Sequence, residues 1–267
     1  MKAKQRVYYY EDPLKDDFAG TKIKKRPLPK KYKYVRKNPI WVFFSFLIYY
    51  VIAVPIFWLV SKIGWGVKVY GRKNLLGVWG KGFYAYGNHT MIADAWIFQC
   101  MIAPGRRSYI VADQDATSMP AVRWLVEMLG CLPVPETPEE RGKFLSALEI
   151  RTKQRAGIVI YPEQHIWPYA THIRPFTDES FVYPADSDCP VVPFCTTFRK
   201  RKVFKNLSPR MTVHVGKPIY ADKSLSMAER KKDLRDQVYN FMIRHSAEDE
   251  NVEWIRYEKK KPASKGE

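Results

Sequence analysis

Residues 40–60 read IWVFFSFLIYYVIAVPIFWLV, twenty-one positions without a charged side chain. At about 1.5 Å per residue a helix of this length reaches roughly 30 Å, one bilayer hydrocarbon core. Aromatic rings crowd the stretch (Trp41, Phe43, Phe44, Phe46, Tyr49, Tyr50, Phe57 and Trp58). Pro55 inside it predicts a kink or a break. Gly64 and Gly66 close the apolar run, and the pattern then changes. Short alternating or wholly apolar runs predict strands at 67–70, 83–86, 108–112, 158–161, 191–197 and 211–215. Helical periodicity predicts helices at 93–102 and 122–129. Thr137-Pro138-Glu139-Glu140 is a capping box with Pro at the first helical position. It opens a helix expected to run to about Arg155 and to stop at Gly157. Ser226-Met227-Ala228-Glu229 opens a last helix to about His245.

Strands alternating with helices predict an α/β fold, a mainly parallel mixed sheet flanked by helices. The expected organisation is a basic tail at 1–38, a membrane-associated helical segment at 39–64, a globular domain at 65–246 and a charged, frayed tail at 247–267. No internal repeat is visible.

Composition sharpens the picture. With 46% hydrophobic and 27% charged residues among 267, a packed core is feasible. Wholesale disorder, collagen and a disulfide knot are excluded. A net charge of +18 calls for an anionic partner. Residues 1–37 hold 13 basic and 4 acidic side chains, half of that excess. Such a run abutting an uncharged segment suits an anionic membrane surface better than nucleic acid, which is not expected as a partner. Cys100, Cys131, Cys189 and Cys195 form no CxxC pair and no metal spacing. No signal-peptide pattern leads the chain, so they read as reduced thiols in a protein facing the cytosol.

The signatures of serine hydrolases, P-loops and dinucleotide sites are missing from the sequence. Among five histidines His89 stands out. A strand runs out, Gly87 and Asn88 turn the chain, and a helix begins near Ala93. An imidazole then sits at the carboxyl end of a strand, where α/β sheets keep their sites. Asp94, in the first helical turn, can fold back onto His89 and fix its tautomer. A second strand ends in Tyr161-Pro162-Glu163, and a third, Pro190-Val191-Val192-Pro193-Phe194, by itself indicates only core.

Taken in order, these segments resemble the glycerolipid acyltransferase family that includes 1-acyl-glycerol-3-phosphate acyltransferases. The family's NHxxxxD block matches residues Asn88 to Asp94. Its aromatic-Pro-Glu-Gly-Thr-Arg strand end is matched in part by Tyr161-Pro162-Glu163-Gln164-His165-Ile166. Its Val-Pro strand resembles Val191-Val192-Pro193-Phe194, and its Gly-Lys-Pro strand end resembles Gly216-Lys217-Pro218. The resemblance covers about residues 65–245.

It implies transfer of a fatty acyl group from an acyl thioester, on coenzyme A or acyl carrier protein, to a lysophospholipid hydroxyl. His89 would be the general base and Asp94 its partner; Asn88, Glu163 and His165 would serve substrate binding. Neither a metal nor a cofactor beyond the donor is expected. Two arginines that the family uses for an acceptor phosphate have no counterpart at 130–136 or at 164–166. Arg174 is the candidate substitute, with a solvated surface arginine as the other reading; Arg106 and Arg107 read as surface. The missing arginines leave open a non-phosphate acceptor, an aminolipid or a glycan hydroxyl. Acyl donors and the basic run both belong to the cytoplasmic side. This favours a bent, monotopic helical pair over a straight span, with the catalytic domain facing the cytoplasm.

Overall fold

A computed structural model of the chain describes residues 6–20, 23, 25–118, 120–248 and 250–260. Its strands are β1 (Arg6–Tyr10), β2 (Lys68–Tyr70), β3 (Phe83–Gly87), β4 (Ser108–Ala112), β5 (Cys131–Pro133), β6 (Gly157–Ile160), β7 (Val191–Arg199), β8 (Arg210–Val215) and β9 (Ile255–Lys259). Seven of them form one sheet in the order β2-β8-β7-β3-β6-β4-β5. The five from β7 to β5 run parallel; β8 turns back antiparallel to β7, with β2 parallel to β8. β3 is buried at all five positions and β6 at all four, which is why they read as apolar runs rather than alternations. Both sheet faces are covered. One side packs on the helices Pro138–Lys153 and Met227–Glu248, the other on residues 94–102. The expected capping box is formed: Thr137 accepts from the Glu140 amide, and Glu140 reaches back to the cap.

The apolar segment departs from expectation. Pro39–Gly64 is one helix with mean hydropathy 2.3 over an 18-residue stretch, and Pro55 does not divide it into a pair. A π-helical stretch, Leu47–Ala53, directly precedes the α-helical turn that holds Pro55. Such wider turns absorb a lost i→i−4 bond. They also set the contact stripe. Ser45, Tyr49, Ala53, Phe57 and Ser61 recur every fourth residue, a spacing that drifts about 40° per step on a regular α-helix. With the π stretch in the middle, all five face the domain. Ser45 Oγ donates to Met128 O, the Ser108 amide donates to Tyr49 Oη, Phe57 stacks on Trp96, and Trp96 Nε1 donates to Ser61 Oγ. Arg106 and Arg107, read as surface residues, brace this docking. Arg107 lies 4.0 Å over the Tyr49 ring and donates to Ser45 Oγ at 3.2 Å, and the Arg106 carbonyl accepts from the Tyr49 hydroxyl at 3.5 Å. The opposite side exposes Ile40, Phe43, Phe46, Val51, Ile56, Leu59 and Ile63.

The tails are also more ordered than their charge predicts. Leu28, Tyr32 and Tyr34 are buried in the core, Lys25 pairs with Asp113 and Glu136, and Arg36 pairs with Glu127. The segment read as a solvated basic linker is a strap, because its apolar residues alternate with its charges. β1 pairs in parallel with β9, Tyr8 opposite Tyr257, so the C-terminal tail is not frayed at 255–259. Residues 1–5 and 261–267 of the two tails, with Lys22 and Lys24 of the basic run, lie outside the described residues.

Candidate active site

At the carboxyl end of β3 the chain leaves the sheet as Asn88-His89. Gly87 is required there, because a Cβ would sit 2.2 Å from the Phe194 ring. The Asn88 amide ties the exit of β3 to β7, donating to Thr196 O at 2.9 Å and accepting from its N–H at 2.8 Å. Asn88 is thus buried and occupied by the protein rather than open to substrate.

His89 Nδ1 lies 2.8 Å from Asp94 Oδ2. The same oxygen accepts the Thr90 and Met91 amides at 2.7 and 2.9 Å. An oxygen that already accepts two donors has no proton to offer, so Nδ1 carries a hydrogen, and in the neutral ring the lone pair is on Nε2. The Asp94 side chain is 2% exposed and that of His89 16%, which leaves one ring edge reachable from outside. Tyr161 stacks on the imidazole with ring centroids 4.5 Å apart, and its hydroxyl donates to Asp94 O at 2.8 Å. Burial and the nearby Asp94 charge push the Tyr161 hydroxyl well above its ordinary value, so it remains a donor. Sequence reasoning gave Tyr161 no role. Its signal was the aromatic position directly before Pro162-Glu163.

Glu163 faces inward. Its Oε2 accepts the His89 amide at 3.0 Å, and its Oε1 accepts the Arg174 amide at 3.0 Å. The Arg174 guanidinium meets Oε2 at 3.0 Å, donates to His165 O, and lies 5.0 Å over the Trp167 ring. Arg174 is 0% exposed, so the surface reading is overturned. Its charge is neutralised by Glu163, whereas nearby Asp178 pairs with Lys231. Glu163 and Arg174 therefore fix the backbone that carries His89. His165 offers its carbonyl to Arg174, and its ring lies within electrostatic reach of Asp16.

Gln164 stands where the family has Gly, in a turn closed by its amide donating to Tyr161 O at 3.1 Å. Its φ of 65° explains the preference for Gly. Gln164→Val is expected to lower stability by about 1–2 kcal/mol, and Gln164→Gly to leave it unchanged or raised, as read by thermal unfolding.

The loop's outer side is covered by the tails. Trp167 is fully buried under Phe18 and Tyr257, and its indole N–H donates to Asp16 O at 2.7 Å. An apolar cavity of about 190 Å³ opens beside the residues that follow Asp94 in the chain. It is walled by Ala95 and Trp96, by Ala53 and Phe57 of the apolar helix, and by Ala112 and Cys131 of the sheet. Burial pushes the thiols of Cys100 and Cys131 up to about 12, so this wall stays neutral and unreactive.

A histidine held by a buried carboxylate thus stands at the carboxyl end of β3. Residues 66–197 match the family model described as Acyltransferase, and over this stretch the chain belongs to the acyltransferase family. In fold it is similar to the 1-acyl-sn-glycerophosphate acyltransferase PlsC from Thermotoga maritima. The TM-score is 0.55 at 16% identity, with 81% of this chain and 91% of that chain covered. No curated protein matches the chain. The family expectation drawn from the ordered motifs is borne out, and so is the mainly parallel sheet flanked by helices. Membership implies an acyl donor and an acceptor as substrates.

Proposed function

We propose that the protein transfers a fatty acyl group from an acyl thioester, on coenzyme A or acyl carrier protein, to a hydroxyl of a lysophospholipid such as 1-acyl-glycerol-3-phosphate. The observation that carries this reading is the His89–Asp94 pair at 2.8 Å, its imidazole partly open at the carboxyl end of β3. His89 Nε2 takes the proton of the acceptor hydroxyl. The oxygen attacks the thioester carbonyl and forms a tetrahedral oxyanion. Collapse breaks the carbon–sulfur bond, and the departing thiolate receives the proton from His89. Asp94 holds the imidazole and stabilises its transient positive charge. The cavity receives the acyl chain, at about 0.8 kcal/mol per buried methylene.

The apolar helix lies on the bilayer surface. Its docked stripe runs from Ser45 to Ser61, which leaves no free length to cross a membrane, while its outer side presents the large hydrophobic side chains. The catalytic domain then faces the cytoplasm, where acyl thioesters are made.

One observation favours a second reading. Arg174, the candidate phosphate contact, is already paired with Glu163, which suits a non-phosphate acceptor. Labelled acyl-CoA and acyl carrier protein, offered with lysophosphatidate, other lysophospholipids, an aminolipid and a glycolipid, separate the two. Transfer to lysophospholipids supports the first reading, and transfer confined to the others replaces it. Ala112→Phe, which fills the cavity, is expected to shift donor preference toward shorter acyl chains, measured as kcat/KM across a chain-length series.

A further inference from the structure

β7 outruns its neighbour. Gly87, the last residue of β3, pairs with Phe194, and β7 continues for five residues to Arg199. At about 3.3 Å per residue this projects the β7–β8 connection roughly 16 Å beyond the strand end that carries His89. The connection, residues 200–209, reads KRKVFKNLSP and contains four basic side chains and no acid. Its apolar side chains are turned out: Phe204 is 69% exposed and Val203 62%, with Leu207 also exposed. Lys200, Lys202 and Lys205 are exposed beside them.

The projection is not a loose tip. Arg201 Nε donates to Ser208 O at 2.6 Å and closes the loop on itself, and the Leu207 amide donates to Phe204 O at 3.0 Å. Two arginines then moor it to the end of the apolar helix. Arg201 donates to Gly64 O, and Arg199 to Gly66 O. Ile63, 72% exposed, precedes the first of these carbonyls by one residue. Apolar tip, basic collar and helix end are thereby held together at the same end of the sheet as His89.

We infer that this hairpin is a second membrane contact, which inserts Val203, Phe204 and Leu207 among the headgroups of an anionic bilayer while Lys200, Lys202 and Lys205 pair with lipid phosphates. The inference rests on the proposed surface-lying helix. Two features select the occupant. The positive charge matches an anionic surface, and the loop continues the exposed apolar side of the helix at Ile63. Lys25 and Arg36 of the strap are paired within the protein, whereas among the described residues Lys200, Lys202 and Lys205, like Lys30, Lys31, Lys33 and Lys37 of the strap, form no ion pair. Docked at both ends, the His89 end of the sheet faces the bilayer, and an acceptor lipid can reach it without leaving the membrane.

The test is flotation of the full chain with phosphatidylcholine vesicles, with and without one-third phosphatidylglycerol. Lys200→Gln/Lys202→Gln/Lys205→Gln is expected to lower partitioning onto anionic vesicles by about 10²-fold and to flatten its salt dependence, with little change on neutral vesicles. Val203→Ser/Phe204→Ser/Leu207→Ser is expected to weaken binding to both. Vesicles should also shield the loop lysines from trypsin. If the wild type floats and both hairpin variants float equally well, the hairpin proposal fails while the helix reading stands. If the wild type does not float at all, both fail. If duplex DNA shields the lysines and anionic vesicles do not, the surface belongs to nucleic acid and the proposal is overturned.

Discussion

Replacing His89 with alanine is expected to lower acyl transfer by about 10²–10⁴-fold and to leave the unfolding midpoint near that of the wild type. The imidazole is partly exposed and stacks on one side of Tyr161, so its removal leaves a small, wettable notch rather than a core cavity. Asp94→Asn is expected to cost a comparable factor for a different reason. An amide can present its NH₂ to Nδ1, which moves the imidazole hydrogen to Nε2 and blocks the base. Initial rates with a saturating acyl donor, alongside thermal unfolding, separate chemistry from folding. Activity of His89→Ala within a few-fold of wild type would remove it as the base. A silent Asp94→Asn beside a dead His89→Ala would remove the pair while keeping the histidine.

Arg174→Ala is expected to lower folding stability by about 3–5 kcal/mol, the cost of stranding a buried partner charge. Glu163 would keep its two backbone contacts, to His89 and Arg174, but lose its counter-charge. Because Glu163 holds the His89 amide, turnover should fall alike for every acceptor. Denaturant titration and kinetics on phosphate and neutral acceptors read the two effects. Unchanged stability with a raised KM for phosphate acceptors alone would show that the guanidinium leaves Glu163 to hold substrate.

The His89–Asp94 half of the site was legible because it is local. A strand, a Gly-Asn exit and a helical first turn bring two side chains together over five residues, and the spacing alone implies the contact. The Glu163–Arg174 half was not. Ten residues of irregular backbone lie between the partners, and the burial of Arg174 depends on Trp167, which depends in turn on Phe18 and Tyr257, far apart in the chain. The same contrast runs through the fold. β3, β6 and β7 announced themselves as apolar runs. β5, three residues ending in Pro133, is too short to show a period. β1 and β9 carry mostly exposed, partly charged residues, and only their mutual pairing makes them strands. Charge misled once more in the basic strap, where Tyr32 and Tyr34 outweigh the lysines around them.

The pairing of β1 with β9 has a meaning in time as well as in space. Arg6–Tyr10 is made long before Ile255–Lys259, so it leaves the ribosome well ahead of its partner strand. The apolar helix, by contrast, is complete at Gly64, before any strand of the seven-stranded sheet, and can reach a bilayer while the sheet is still being made. Anchoring thus comes early and closure late. A chain that has not yet reached β9 holds its Glu163–Arg174 loop without the finished cover, which Phe18 and Tyr257 complete only together.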